Sequence, residues 1–184
     1  MVSYISILRG INVSGHNIIK MDALKKMYTG LGYKSVQNYI QSGNVIFQTK
    51  RSKTEKLEKE ISLKIEKVFG FKVPVLVKEV EEVKKVIKAN PFINKRKEDV
   101  AALYVVFLSA APQKQDVEKL DPLHSFPDEF ILLDKAIYLF CPKGYGNTKL
   151  TIAFFEKKLN ITATARNWKT TNELVAIAEK MKID

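Results

Sequence analysis

The 184-residue sequence has one cysteine, two histidines and one tryptophan, and each scarcity closes off a kind of chemistry. With Cys141 alone there is no intramolecular disulfide, and a lone thiol fits a reducing compartment. That thiol and the distant His16 and His124 give no metal-ligand spacing, so no metal or cofactor is expected. The alternation Ile137, Leu139, Cys141 puts the thiol on a strand face, a structural position rather than a nucleophilic one. Long apolar runs are also missing. No segment approaches the roughly 20 apolar residues of a membrane span, and Arg9 interrupts the only candidate for a leader. The expectation is a soluble cytoplasmic protein without a membrane partner.

Acidic charge is short as well. Against 31 basic residues there are 20 acidic ones, a formal net charge of +11. A field of that sign draws polyanions and phosphorylated ligands, although lysines on helices that also carry glutamate make an ordinary solvated face. What is present is globular: 46% hydrophobic and 28% charged residues, in a length that suits one domain or two small ones.

The element pattern repeats. Val2 to Leu8 reads as a strand apolar on both faces, with Val2, Tyr4 and Leu8 one way and Ile5 and Ile7 the other. A polar loop, Arg9 to Ile19, leads into a helix carrying Leu24 and Tyr28 and closed by Gly30 and Gly32. Val36–Ile40 and Val45–Gln48 flank Gln41-Ser42-Gly43-Asn44 as a hairpin. Ser52 and Glu55 form a capping-box pattern before a helix with Leu57, Ile61, Ile65 and Val68 inward. Val73–Lys78 is a strand whose Pro74 suits an edge. After a helix over 79–89 and a basic loop, the order recurs from Ala102, ending in a strand at 161–165 and a last helix opened by Thr170 and Glu173. The expected fold is α+β: two ferredoxin-like (βαββαβ) subdomains in tandem with an additional C-terminal helix. Their expected limits are 1–90 and 101–184, joined by 91–100. The doubly apolar first strands require cover on both sheet faces, from each other or from a second copy.

In such a plait the loop after the first strand and the turn after the second share a sheet edge. That gathers Arg9, Gly10, Asn12, Gly15, Ser42, Gly43 and Asn44. Arg9 offers a planar fork for phosphate or carboxylate, and the glycines let backbone amides approach an anion. In the second half, the loops after the third and fourth strands supply Lys149, Arg166, Asn167 and Trp168, with a helix N-terminus near Thr148. Structural roles compete for the same residues. Gly43 and Asn44 suit the hairpin alone, Asn12 its own loop, Trp168 a buried anchor, and Thr170 a helix cap. G-Y-G-N-T-K lacks the spacing of a phosphate loop, and V-I-F-Q at Val45–Gln48 lacks the aromatic run of an RNA-recognition strand.

Three stretches carry a family resemblance: L-R-G-I-N-V-S-G-H-N at Leu8–Asn17, Y-I-Q-S-G-N-V-I-F at Tyr39–Phe47, and the run from Lys149 to Thr170. In this order they resemble the uncharacterised domain-of-unknown-function family numbered 1697. The resemblance implies a bacterial-type cytoplasmic protein with two ferredoxin-like subdomains and implies no established activity. Arg9, Gly10, Asn12 and Gly15 match the family's R-G-I-N-V-G-G, with Ser14 in place of a glycine; Ala165 and Lys169 depart from its T-T-R-N-W-N-T. Three functional hypotheses follow. The first is a binding protein for an anionic ligand, a nucleotide or nucleic-acid segment, between the two subdomains. The second is an enzyme on a small phosphorylated or carboxylated substrate, clamped by Arg9 and Arg166 with His16 or Ser42 reacting. The third is an interaction module forming a homodimer.

Overall fold

The computed structural model describes residues 1–120 and 127–181; His124 lies outside them. Among the described residues the fold is mixed α+β with two four-stranded antiparallel sheets and six α-helices. The chain divides into two compact units: Met1–Lys84 with the C-terminal segment from Glu173, and Lys85–Asn172. Among the described residues no helix is long and apolar enough to cross a membrane.

In the first unit the order is β1 (Val2–Leu8), α1 (Met21–Gly30), β2 (Lys34–Tyr39), β3 (Asn44–Thr49), α2 (Thr54–Phe69) and β4 (Val75–Glu79). The strands lie in the order β2-β3-β1-β4. Because β1 and β2 both pair antiparallel with β3, they run the same way and end at the same edge. One face of the sheet carries Tyr4, Leu8, Val45, Phe47, Val75 and Val77, packed with Leu24, Met27 and Tyr28 of α1 and Leu57, Ile61 and Ile65 of α2. Phe47 centres an aromatic group, stacked on Tyr33 at 4.5 Å and edge-on to Tyr28 at 5.6 Å. The buried Tyr28 hydroxyl is satisfied by Ser6 Oγ at 2.7 Å. On the opposite face Ile5, Ile7, Ile46 and Leu76 are each at most 3% exposed in the single chain.

The second unit repeats the plan with β5 (Leu103–Leu108), α4 (Lys114–Val117), β6 (Glu129–Leu133), β7 (Ala136–Phe140), α5 (Ile152–Leu159) and β8 (Ala163–Asn167), in the order β6-β7-β5-β8. Its core joins Val106, Leu108, Ile137, Leu139, Cys141, Phe155 and Leu159. Between the two sets lie α3 (Val80–Lys88) and a π-helical turn, Phe92–Arg96, where a plain loop was expected. Arg96 lies 5.4 Å from the centroid of the Phe92 ring and forks onto the Glu129 carboxylate at 2.6 and 3.0 Å, which orders that turn.

Two caps differ from the sequence expectation. Ser52 does not cap α2: Lys53 precedes the helix without a side-chain bond, and Ser52 is held through its backbone by the Tyr4 hydroxyl at 3.0 and 3.1 Å. The last helix, α6 (Trp168–Lys180), opens two residues before Thr170, because Asn167 Oδ1 accepts from the Thr170 N–H at 2.7 Å. Val68 is 50% exposed and not part of the α2 stripe.

Candidate functional site

The loop after β1 is built by two asparagines. Asn12 Nδ2 donates to the Ile19 carbonyl at 3.0 Å and to the Gln41 carbonyl at 2.9 Å, while its Oδ1 accepts from the Ile19 N–H at 2.8 Å. One side chain thus closes its own loop and ties that loop to the β2–β3 turn. Asn17 Nδ2 adds a bond to the Gly10 carbonyl at 2.9 Å. Both asparagines sit in the left-handed region that their type tolerates. Gly10, Ser14 and Gly15 also have positive φ, whereas Ile11 and Val13 do not. Two of the loop's own N–H groups are used within it, Asn12 N–H on the Asn17 carbonyl at 3.2 Å and His16 N–H on the Val13 carbonyl at 2.9 Å. At the root of the loop, the half-buried Arg9 is fixed through its N–H to the Pro74 carbonyl at 3.0 Å.

The adjoining turn is equally fixed. Leu8 N–H donates to the Gly43 carbonyl at 2.8 Å. Gly43 has φ +81°, and an added Cβ would stand 2.8 Å from Leu8 Cβ and Ile11 Cδ1, so backbone and space both require glycine. Asn44 is fully buried and donates from Nδ2 to the Tyr39 carbonyl at 3.1 Å and to Ser42 Oγ at 3.0 Å. The structure therefore brings Arg9, Gly10, Asn12, Gly15, Ser42, Gly43 and Asn44 to one sheet edge. Within that set Gly43 and Asn44 serve the hairpin, and Asn12 joins the two loops.

The second-unit candidates are placed differently. Arg166 does not follow its strand but lies inside β8, opposite Val105, on the sheet face away from the Phe155 core. Its Nη1 donates to the Ala165 carbonyl at 2.7 Å and approaches Thr164 Oγ1 at 3.5 Å. Burial pushes its guanidinium pKa down to about 10. Asn167 caps α6, and Trp168, 8% exposed, is the first residue of that helix. Lys149 is exposed in the loop before α5, whose cap is Thr151, not Thr148; Thr148 Oγ1 accepts from the Leu150 N–H instead. Cys141 is buried, and burial pushes its thiol up to about 11, a resting thiol and not an activated one. His16 is exposed in the first-unit loop. Among the described residues no group of three or more His, Cys, Asp or Glu is arranged to hold a metal ion.

Sequence reasoning did not find three residues of the first-unit loops. Val13, Ile18 and Ile40 are 57%, 60% and 50% exposed, and Ile40 stands at φ +50°. The sequence reads Ile40 as the last residue of a strand, but β2 ends at Tyr39, and no local signal marks a β-branched residue for the left-handed region.

The family described as "Protein of unknown function (DUF1697)" matches residues 1–138 of the chain. That span contains the first two of the three stretches carrying the resemblance. The structure of the conserved bacterial protein SP0830 from Streptococcus pneumoniae is similar, with a TM-score of 0.68 and 23% identity over 96% of this chain and 98% of that one. This likeness concerns the fold. No curated protein matches.

Proposed function

The chain belongs to the DUF1697 family, and from that premise we propose that it binds an anionic ligand, a nucleotide or a nucleic-acid segment, at the first-unit loops. The observation that supports this most is the loop from Arg9 to Asn17. Two asparagines hold it with five residues of positive φ, Ile11 anchors it to the core, and an arginine stands at its root. An irregular loop held this firmly suits a ligand that approaches backbone. The net charge of +11 supports the sign of that ligand. Lys149, Arg166, Asn167 and Trp168 enter the proposal as a second set. Its support is Arg166, a half-buried cation inside β8 whose pKa desolvation lowers, and perturbed cations of this kind occur at functional sites.

The architecture assumed is a pair of ferredoxin-like plaits, 1–90 and 101–184, joined by 91–100 and completed by the C-terminal helix. The βαββαβ order and the matching strand orders of the two sheets support it. Protease cleavage confined to 91–100 is the expected sign of those limits, whereas a first stable fragment ending elsewhere would redraw them. A cytoplasmic location is part of the same reading, supported by the single buried thiol.

The test is equilibrium binding of a labelled single-stranded oligonucleotide and of free nucleotides. Affinity for the oligonucleotide should fall steeply between about 50 and 200 mM salt. Arg9→Ala should weaken binding about tenfold and Arg166→Ala by a smaller factor. Binding that ignores both salt and Arg9→Ala would remove the proposal.

A further inference from the structure

The three exposed apolar side chains of the first-unit loops each adjoin a residue joined at the Asn12 amide. Val13 follows Asn12 itself, Ile18 precedes Ile19, and Ile40 precedes Gln41. The Ile19 and Gln41 carbonyl oxygens share one nitrogen, so they lie within about 6 Å of each other. Single exposed aliphatic residues are ordinary; here three whose chain neighbours meet in one hydrogen-bonded knot leave apolar surface beside it. Ile40 adds a second observation. A β-branched residue at φ +50° is strained where asparagine or glycine would not be. The surrounding turn is fixed by Gly43 and Asn44, and the side chain itself stays half exposed. Ile40 is therefore carried at a cost without being buried in return.

We propose that this patch receives the base of a nucleoside phosphate whose phosphate faces Arg9 and the Gly10–Gly15 backbone; the inference rests on the anionic-ligand reading and names the ligand class. Size argues for a base over a protein partner. Three partly exposed aliphatic side chains offer on the order of 300 Å², well short of the roughly 1,000 Å² of a specific protein interface but matched to one planar ring system. Charge argues the same way, because the loop that carries Val13 and Ile18 also carries Arg9, in a chain of net charge +11. A ligand with one apolar face and one phosphate uses both features; inorganic phosphate uses only the second.

The experiment is calorimetric titration of the full chain with adenosine, guanosine, cytidine and uridine monophosphates, ribose 5-phosphate and inorganic phosphate. At least one nucleotide should bind tenfold or more tightly than ribose 5-phosphate. Ile40→Asn should abolish that preference, leave ribose 5-phosphate affinity unchanged and raise the thermal midpoint. Ile18→Ser, which leaves the turn backbone intact, should reduce the preference independently. Ribose 5-phosphate binding as tightly as every nucleotide would overturn the inference and leave the anion reading standing. No binding by any of the six would overturn both. A lower thermal midpoint for Ile40→Asn would remove the strain argument, and an unaltered preference in Ile18→Ser would show that the patch does not touch the base.

Discussion

The loops that end β1 and β2 and those that end β7 and β8 belong to sheets of matching strand order, yet their polar residues do different work. In the first unit, side-chain amides hold backbone that would otherwise be unconstrained: Asn12 joins two loops, Asn17 closes one, and Asn44 fixes the turn. Their side chains face inward and the tips stay exposed. In the second unit, Asn167 and Thr151 cap helices, Trp168 is buried, and Arg166 lies within a strand. There the same residue types complete regular structure. A polar cluster near a strand end thus has two physical uses, and hydrogen-bond partners, not composition, separate them. Of the two clusters, the first is the one held in irregular backbone with positive φ at Gly10, Asn12, Ser14, Gly15 and Asn17.

This contrast can be broken by substitution. The largest effect is expected at Gly43. Gly43→Ala places a methyl group against Leu8 and Ile11 in a left-handed residue and should destabilise the protein by about 3 kcal/mol in urea unfolding. A loss below about 1 kcal/mol would show that the turn can relax. Asn12→Ala should cost about 2 kcal/mol, since three hydrogen bonds across two loops are lost. Asn167→Ala removes one capping bond and should cost about 1 kcal/mol. Equal losses would erase the distinction between tying loops and capping a helix.

Arg166 should behave in the opposite sense. Burial lowers its folded pKa to about 10 from an ordinary 12.5. The unfolded chain therefore holds this proton more tightly, and stability from this group rises with pH between those values. At pH 7 the guanidinium is charged in both states and its penalty is fully present. Arg166→Met should then raise stability at pH 7 by about 1 kcal/mol; a clear loss would show that its hydrogen bonds outweigh its desolvation. The smallest effect concerns Cys141. Its raised pKa and burial predict negligible alkylation of the native protein at pH 8 and full alkylation in denaturant. Rapid native labelling would mean that the second-unit core opens.

Much of this was readable in the sequence, for reasons that differ by residue. Two-sided apolarity delimited β1 correctly as Val2–Leu8, because a central strand must satisfy both faces. Parallel β1 and β2 implied that their following loops meet, and Asn12 bonds across them. The sequence could not show that Asn12 is the joint, since Gln41 becomes its neighbour only on folding. Nor could it place Ile40, whose left-handed backbone runs against its own preference. The capping patterns at Ser52 and Thr170 misled because a tertiary bond from Tyr4 and a nearer asparagine took precedence. Arg166 seemed to lie beyond its strand because a charged residue reads as a stop, yet sheet pairing continues to Asn167.

The most direct test of the ligand reading locates binding instead of measuring its strength. Adding a nucleoside monophosphate to the isotopically labelled full chain should shift backbone amide resonances at Gly10–Gly15 and Ser42–Asn44, and the Arg9→Ala variant should need about tenfold more ligand to reach the same shifts. Saturable shifts confined to other parts of the chain, or shifts at these loops that persist unchanged in Arg9→Ala, would contradict the account.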